Sequence, residues 1–258
     1  MTLNWACSAV SSPWSQVNER RSCSGRVVIA SALRIGVDDT GEVDQASTAL
    51  KVDHVLLAVK DLADAAVALN DRHGLASVEG GLHPQWGTAN RIIPVDDAYL
   101  ELITVVDPER ARGSAFGRWV SSARPGIMQP LGWAVRAVDI DDVARRLDLA
   151  IESGSRATPD GGLLQWRLAG VERAAADPAL PFFIAWGGDA SHPSQLPVTH
   201  SAGSVEFGRL ELRGNRDRLV AWLGDHDLPV TIQRGRSSIT RVILEVSDRE
   251  IVLDPIVR

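Results

Sequence analysis

Residues 52–103 read VDHVLLAVKDLADAAVALNDRHGLASVEGGLHPQWGTANRIIPVDDAYLELI. The run at 52–59 is apolar and rich in β-branched side chains, with His54 as a polar exception, and this composition predicts a buried strand. Asp61 is a typical helix cap, apolar residues follow it at spacings of three and four, and Gly74 is a typical helix end. The stretch therefore predicts a strand followed by a helix with one apolar face.

The second half of this stretch predicts further strands. A glycine pair at 80–81 indicates the start of a loop, and two strands are predicted at 88–94 and 99–105 with an aspartate turn between them. The whole unit is interpreted as β-α-β-β-β. His54 lies on its first strand and Glu101 on its last strand.

Three motifs in the stretch carry a family resemblance. DHVxLAVxDL, HPxWGTANR and YLEL resemble the glyoxalase-like branch of the vicinal-oxygen-chelate superfamily, which includes glyoxalase I, extradiol dioxygenases and bleomycin-resistance proteins. The resemblance implies an α+β fold in which repeated βαβββ modules form a half-open mixed β-barrel with flanking helices. It also implies a site inside the barrel that often holds a divalent metal. By this resemblance, His54 and Glu101 are the candidate metal ligands and the candidate catalytic residues.

An internal repeat follows the first unit. Residues 131–140 resemble residues 53–62, since each segment has an apolar strand followed by an aspartate cap. The repeat predicts two modules, at 51–106 and 130–187, within a glyoxalase-like domain at 51–204.

Two other segments complete the predicted organisation. Residues 205–258 again show the order β-α-β-β-β, which predicts a third, C-terminal βαβββ-like unit. This unit is expected either to pack on the outer face of the barrel or to pair with its equivalent in a homodimer. Residues 1–50 are rich in serine and other polar residues, and they are predicted to be a poorly ordered extension.

The repeat lacks the metal ligands of the first module. Aligning the two aspartate caps places Gly132 at the position of His54. Matching YLEL to FFIAW places Ala185 at the position of Glu101. Neither replacement can bind a metal through its side chain.

The remaining donors leave the metal content open. An imidazole and a carboxylate suit Zn, Fe, Ni or Mn, but catalytic sites usually take three protein ligands. A third ligand would have to come from a loop, with His83 or His192 as the candidates. One divalent metal and a metal-free pocket both remain open.

Residues 83–90, HPQWGTAN, combine an imidazole, an indole, a hydroxyl and a carboxamide in a short segment. One interpretation is a rigid turn whose polar groups bind the local backbone. The other is a substrate site, because converging polar groups at the mouth of an apolar barrel would orient a ligand. The resemblance places this segment at the cavity and suggests that the histidine of LPFFIAWGGDASHP closes over it. The candidate substrate-binding residues are His83, Trp86, Thr88, Asn90, Trp133 and His192.

Composition excludes several classes of partner. The 258 residues have a formal net charge of −6, which argues against a nucleic-acid surface because phosphate contacts need clustered Lys and Arg. No apolar run approaches the length of about 18 residues that a membrane span needs. Cys7 and Cys23 are the only cysteines, and so low a number predicts a reducing cytoplasm.

The sequence thus supports two functions. The first is binding of a small polar organic substrate in the barrel, with metal-assisted lyase, isomerase or dioxygenase chemistry in which buried Glu101 is the general base or a metal ligand. The second is a non-catalytic protein that binds a drug or another small molecule. The lost ligands of the second module and the count of 8 tryptophans favour the second function.

Overall fold

The computed structural model describes residues 50–124, 126, 128–158, 162–187, 191–247 and 249–255. The extension predicted at 1–50 lies outside these ranges, apart from Leu50. Within them, no helix is both long enough and apolar enough to cross a membrane.

The first module has the predicted β-α-β-β-β order. Its second strand lies where the local sequence signals indicated a loop. The Asp61 carboxylate accepts the backbone N–H of Asp64 at the start of the helix, and Gly74 ends the helix in the left-handed conformation with φ of 72°. The elements are β1 Lys51–Ala58, α1 Leu62–His73, β2 Val78–His83, β3 Thr88–Val95 and β4 Ala98–Val105.

The loop predicted at the glycine pair is a correction. Gly80 and Gly81 lie inside β2, which pairs with β3 across a register shift between Glu79 and Gly81. The shift is a β-bulge, and Gly81 adopts φ of 140° there. A glycine pair inside a strand therefore marks a bulge in this chain, whereas the sequence alone suggested a turn.

The second module repeats this order after two connecting helices. Asp139 caps its helix by accepting the backbone N–H of Asp142, as Asp61 does in the first module. The elements are α2 Pro108–Gly113, α3 Ala115–Ser121, β5 Gln129–Arg136, α4 Ile140–Leu147, β6 Ile151–Ala157, β7 Leu163–Ala169, α5 Val171–Ala176 and β8 Phe182–Gly187.

The two modules join in one mixed sheet of eight strands, in the order β2-β3-β4-β1-β5-β8-β7-β6. The first strands of the modules, β1 and β5, pair antiparallel at the centre, and each pairs in parallel with the last strand of its own module. The sheet curls until its edge strands meet, since Arg156 of β6 donates a hydrogen bond to the Gly80 carbonyl of β2. This nearly closed barrel confirms the predicted α+β architecture.

A second, smaller sheet follows. Its elements are β9 Glu206–Gly214, α6 Arg216–Leu223, β10 Val230–Arg234, β11 Ser238–Val246 and β12 Arg249–Leu253. The order along the chain is the predicted βαβββ, but the strand order in the sheet is β10-β9-β11-β12. The first strand of this unit, β9, pairs with the second and third strands, whereas β1 pairs with the last strand of its own module and with β5.

Two apolar cores are built on the two faces of the eight-stranded sheet. The outer core combines its outward side chains with those of α1, α4 and the second sheet, so that the second sheet packs on the barrel. The inner core fills the barrel and includes the buried faces of α3 and α5. Alternation along β5 shows the division, because Trp133 belongs to the outer core and Ala134 to the inner one.

Candidate functional site

A pocket lies inside the barrel, against the inner core. Its volume is about 30 Å³, which is room for about two water molecules. Most of the polar side chains in its wall come from the first module, and Arg156 comes from β6 of the second module, while the aromatic lining comes from both modules and α3. The lining includes His54, His83, Asn90, Glu101 and Arg156 among the polar residues and Trp86, Phe116, Trp166, Phe182 and Trp186 among the aromatic ones.

His54 and Glu101 face each other in this pocket. The Nε2 atom of His54 lies 3.6 Å from the Oε2 atom of Glu101, and the two residues are only 3% and 5% exposed. The ring of Tyr99 stacks on the His54 imidazole with centroids 4.7 Å apart and planes 19° apart. Parallel pairing of β1 with β4 brings the two side chains to the same face of the sheet.

Asp53 holds the imidazole from behind. Its Oδ1 atom lies 2.7 Å from Nδ1 of His54. Burial raises the pKa of Asp53, but hydrogen bonds from His192 and His54 outweigh it, so that the pKa lies below the usual range. An ionised carboxylate only accepts hydrogen bonds, and Nδ1 of His54 therefore carries a proton, while Nε2 faces the pocket.

Three further groups converge on the second oxygen of Asp53. Arg136 donates to Oδ2 from Nε at 2.9 Å, and Trp186 donates to it from Nε1 at 3.0 Å. His192 has its Nε2 atom 3.0 Å from the same oxygen. Nδ1 of His192 accepts the backbone N–H of Ser194, and its Nε2 atom also lies 3.0 Å from Nη2 of Arg136. This fully buried carboxylate is therefore compensated on both oxygens.

A β-bulge explains how Asp53 reaches the ring beside it. Successive side chains of a regular strand point to opposite faces. The register of β1 against β5 shifts between Val52 and His54, and Asp53 has no partner in that register. A bulge re-aims a side chain in this way, and it turns the carboxylate toward His54.

Glu101 is anchored on one oxygen only. The Nδ2 atom of Asn90 donates to Oε1 at 2.7 Å, and Oε2 is left facing His54. Burial raises the pKa of Glu101, and the opposing effects of His54 and of the Asn90 hydrogen bond are smaller. The carboxyl group is thus a stronger base, once ionised, than an exposed glutamate.

His83 is a neutral polar group in the pocket wall. Its Nδ1 atom lies 2.9 Å from the hydroxyl of Thr88, and its ring meets the edges of Trp86 and Trp166 at centroid distances of 5.7 Å. Burial, followed by the charge of Arg156, lowers the pKa of His83 to about 3. The imidazole can therefore accept or donate a hydrogen bond but carries no charge near neutral pH.

The pairing of β1 with β5 relates the two modules. His54 pairs with Ala134, and Leu56 pairs with Gly132 on the antiparallel partner. A twofold relation between β1 and β5 therefore makes Gly132 equivalent to His54, in agreement with the aligned helix caps. The indole of Trp119 fills the space that a side chain at Gly132 would need.

The predicted equivalence of Ala185 and Glu101 is corrected by the parallel pairs. Leu56 pairs with Glu101 in the first module. Ala134, the equivalent of Leu56, pairs with Phe182 in the second module. Phe182 thus takes the position of Glu101, and its ring lines the pocket. The match failed because buried parallel strands are apolar on both faces and carry no alternation that fixes the register.

Most of the predicted site residues come together in the pocket wall, and three do not. Thr88 and His192 do not line the pocket and lie behind its wall. Thr88 contacts His83, and His192 contacts Asp53. Trp133 is a correction, because strand alternation turns its fully buried indole into the outer core. The predicted residues that line the pocket are His54, His83, Trp86, Asn90 and Glu101.

Three charged residues in or beside the site were not predicted from the sequence. Asp53 had a visible signal, since a second polar residue beside His54 in an apolar strand needs buried partners. Arg136 has a similar signal near the end of the strand β5. Arg156 had none, because β6 was not predicted and nothing local indicated that its side chain enters the barrel.

The donor set was tested against the divalent metal that the resemblance implies. The 3.6 Å between His54 and Glu101 is compatible with two ligands of one ion, and Asp53 behind the imidazole resembles the partner that metal-bound histidines commonly have. However, no group of three His, Cys, Asp or Glu within the described ranges could hold a metal ion. Asp53 engages His192, one candidate for a third ligand. The residues present therefore do not fit a resident ion held by three protein ligands.

The chain matches the model of a glyoxalase-like domain over residues 52–228. It belongs to the glyoxalase-like domain family. The match covers both modules and continues through β9 and α6 of the second sheet. No curated protein matches the chain in sequence.

Several solved structures are similar to this glyoxalase-like protein. A hypothetical protein from Staphylococcus aureus is similar over 78% of this chain and 92% of its own, with 17% identity and a TM-score of 0.61. Methylmalonyl-CoA epimerase from Mycobacterium tuberculosis is similar over 52% of this chain and 85% of its own, with 20% identity and a TM-score of 0.36. A variant of Streptomyces coelicolor methylmalonyl-CoA epimerase in complex with 2-nitronate-propionyl-CoA is similar over 54% of this chain and 97% of its own, with 15% identity and a TM-score of 0.39. The first of these similarities, with a TM-score of 0.61, shows that this chain shares its fold with a solved structure.

Proposed function

We propose that the barrel pocket binds a small polar organic molecule and that the protein moves a proton on it, as an isomerase or a lyase does. The single observation that carries this proposal is the pair of acid–base groups in the pocket, with Nε2 of His54 3.6 Å from Oε2 of Glu101. Each group is held from behind, by Asp53 and by Asn90 respectively. Fixed orientation is what general acid–base catalysis requires of its side chains.

Glu101 is the proposed general base. Its free oxygen faces the pocket, and burial raises its pKa, so that its ionised form has a greater affinity for a substrate proton. The proton of a C–H bond next to a carbonyl group would pass to Oε2, and the electron pair would move onto the carbonyl oxygen. In a 2-hydroxy carbonyl compound, the hydroxyl proton would pass to the former carbonyl oxygen. Return of the first proton from Glu101 to the former carbonyl carbon would then complete an isomerisation and leave the protein unchanged.

His54 is proposed to act at the substrate oxygen. The hydrogen bond from Nδ1 to Asp53 fixes the ring and directs Nε2 into the pocket. From there the imidazole can exchange a proton with an oxygen that gains negative charge during the reaction. Stacking on Tyr99 limits rotation of the ring.

Pocket size supports a small substrate. A volume of about 30 Å³ holds about two waters and suits a compound with few heavy atoms. A large antibiotic does not fit in this space as it stands. The same argument weakens the drug-binding alternative for bulky drugs, while small aromatic compounds remain within its scope.

Hydrogen–deuterium exchange tests the proposal on a panel of candidate substrates. The protein is incubated in D₂O with small 2-oxo and 2-hydroxy compounds, and loss of the C–H signal is followed by proton NMR. We expect catalysed exchange for at least one compound and a decrease of about 10²–10⁴-fold in Glu101→Gln. Glu79→Gln, at an exposed carboxylate on β2, should leave the rate unchanged. Exchange that survives in Glu101→Gln would refute the role of this residue.

The aromatic side of the pocket favours a second candidate function, which is non-catalytic binding of a small aromatic compound. This side is lined by Trp86, Trp166 and Trp186. The ring centroid of Trp166 lies 5.7 Å from that of Trp86 and 5.8 Å from that of Trp186. Such rings supply flat apolar contact area. Catechol would then quench tryptophan fluorescence stoichiometrically while no compound of the panel exchanges deuterium.

A further inference from the structure

Arg156 is a buried cation that the proposed reaction does not use. It lies on β6, its side chain points into the barrel, and it lines the same pocket as Glu101. The residue is only 6% exposed. Lysine and arginine are almost never buried to this degree unless they are paired.

Among the described residues, the Arg156 guanidinium is hydrogen-bonded through one nitrogen and to a neutral group. One nitrogen, Nη1, donates to the backbone carbonyl of Gly80 across the seam between β6 and β2. A guanidinium has five N–H donors and a permanent positive charge. Across the described ranges, no carboxylate lies within 4.0 Å of it. A neutral carbonyl does not neutralise a buried charge.

The Arg156 side chain lies against the backbone of the facing strand, β2. Gly81 faces Arg156, and a Cβ on Gly81 would lie 3.4 Å from Cδ and 3.5 Å from Nη1. Its φ of 140° is a conformation that favours glycine. These distances are ordinary van der Waals contacts, so glycine is favoured at Gly81 by its backbone conformation, and the residue places no polar side chain beside the guanidinium.

From this geometry we infer that Arg156 binds the carboxylate of a small organic acid and that the pocket's ligand is therefore anionic. The inference rests on the proposed function in that it names the substrate class of the same pocket. A guanidinium binds a carboxylate through two parallel hydrogen bonds, and such bonds are about twice as strong as neutral ones. A small acid held in this way would present its neighbouring carbon to the other polar groups of the lining, His54 and Glu101.

A purely structural role for Arg156 makes a different prediction. Gln85 also bonds across the seam, from Nε2 to the carbonyl of Ser155 at 3.4 Å. If Arg156 only tied β6 to β2, its loss would loosen the barrel and weaken every ligand equally. A carboxylate site instead distinguishes an acid from its neutral amide.

The test compares pyruvate with pyruvamide and lactate with lactamide, with dissociation constants measured by calorimetry or ligand-detected NMR. We expect the wild type to bind at least one acid about 10- to 100-fold more tightly than its amide, which is the usual range for a charge-assisted hydrogen bond. Arg156→Met should lose this preference and keep its affinity for the amide. Arg145→Met, at an exposed arginine of α4, should change neither. Arg156→Lys keeps the charge without the planar fork and should give an intermediate preference if the Met variant does not fold.

Three results would overturn the inference: equal binding of acid and amide by the wild type, equal loss of both in Arg156→Met, or no binding of any acid at about 10 mM. Its failure can be told apart from failure of the proposed function. Glu101→Gln should still bind the acid, because the anchoring cation is intact. Acid selectivity without deuterium exchange would support the anion site and refute the proposed proton transfer. Deuterium exchange without acid selectivity would support the proton transfer and refute the anion site.

Discussion

The indole of Trp119 fills the space in front of Gly132, the position that strand pairing makes equivalent to His54. The same arrangement recurs on β6, the next strand along the chain. The strand pairings that relate Glu101 to Phe182 can be followed to the edge strands, where they make Gly154 equivalent to His83. The indole of Trp166 fills the space of a side chain at Gly154.

Each of these pocket histidines of the first module thus corresponds to a glycine covered by tryptophan in the second. The first module therefore supplies both histidines of the pocket lining, although two similar modules build the pocket.

The first prediction concerns this replacement. Gly132→Ala should destabilise the protein by about 1–3 kcal/mol, because the added methyl group overlaps the Trp119 ring in a packed core. Combining it with Trp119→Leu should cost less than the sum of the single changes, because the smaller side chain makes room. Urea unfolding measures the free energies. Gly113→Ala is the control, since no atom lies within 4 Å of a Cβ there, and wild-type stability in Gly132→Ala would contradict the overlap.

Local signals in the sequence predicted the modules well. Asp61 and Asp139 cap their helices through hydrogen bonds within three residues, and the apolar spacing of each helix is also local. Strand pairing is not local, and it was predicted less well. The third unit shows the difference, since its element order follows from the sequence but β9 pairs with β10 and β11.

The candidate site shows the same division between local and non-local information. The family motifs indicated His54 and Glu101, and the structure brings them into one pocket. Asp53 was missed because only a bulge turns it toward its neighbour. Arg156 was missed because it reaches the pocket from a strand that had no clear signal. The predicted homodimer, the cytoplasmic location and the domain boundary at 204 stay predictions.

Trp133 provides the second prediction. Its side chain is fully buried in the outer core, and its Nε1 atom has no hydrogen-bond partner among the described residues. Trp133→Phe should therefore destabilise the protein by about 1–3 kcal/mol through lost packing alone. Ligand binding in the pocket should be unchanged. Trp86→Phe is the matched variant at the pocket wall, and it alone should alter the affinity for the compounds tested above.

Asp53 provides the third prediction. Asp53→Asn removes a buried charge that compensates Arg136 and that accepts a hydrogen bond from His54, and it should cost about 3–5 kcal/mol at pH 7. Because the pKa of Asp53 is lowered in the folded state, its ionisation stabilises the protein above the unfolded value of about 3.9. This contribution is lost as the pH falls below that value toward the folded pKa.

Urea unfolding of wild type and Asp53→Asn across pH checks this sign. The difference in unfolding free energy should be constant between about pH 8 and pH 5 and shrink below about pH 4. Asp141→Asn, at a fully exposed carboxylate paired with Arg167, should change stability little at any pH. A difference that persists undiminished into acid would show that Asp53 contributes through shape and not through charge.

Glu101 gives the opposite pH dependence, and it is the fourth prediction. Burial raises its pKa in the folded state, so the folded protein is favoured below the unfolded pKa of about 4.3 and loses that advantage as the pH rises through the folded pKa. Glu101→Gln keeps the acceptor for Asn90 and carries no charge. The variant should therefore be more stable than the wild type at pH 7, by about 0.5–2 kcal/mol, as is common when a strained functional group is removed.

The comparison of thermal or urea unfolding at pH 4 and pH 8 decides this point. The stability advantage of Glu101→Gln should be present at pH 8 and nearly absent at pH 4, where the wild-type carboxyl is protonated. The rate of deuterium exchange by the wild type should rise over the same interval, because the ionised carboxylate is the base. Loss of exchange together with a gain in protein stability is the combination expected when a buried catalytic carboxylate is replaced. If Glu101 only supported the fold, its neutralisation would instead lower the stability of the protein.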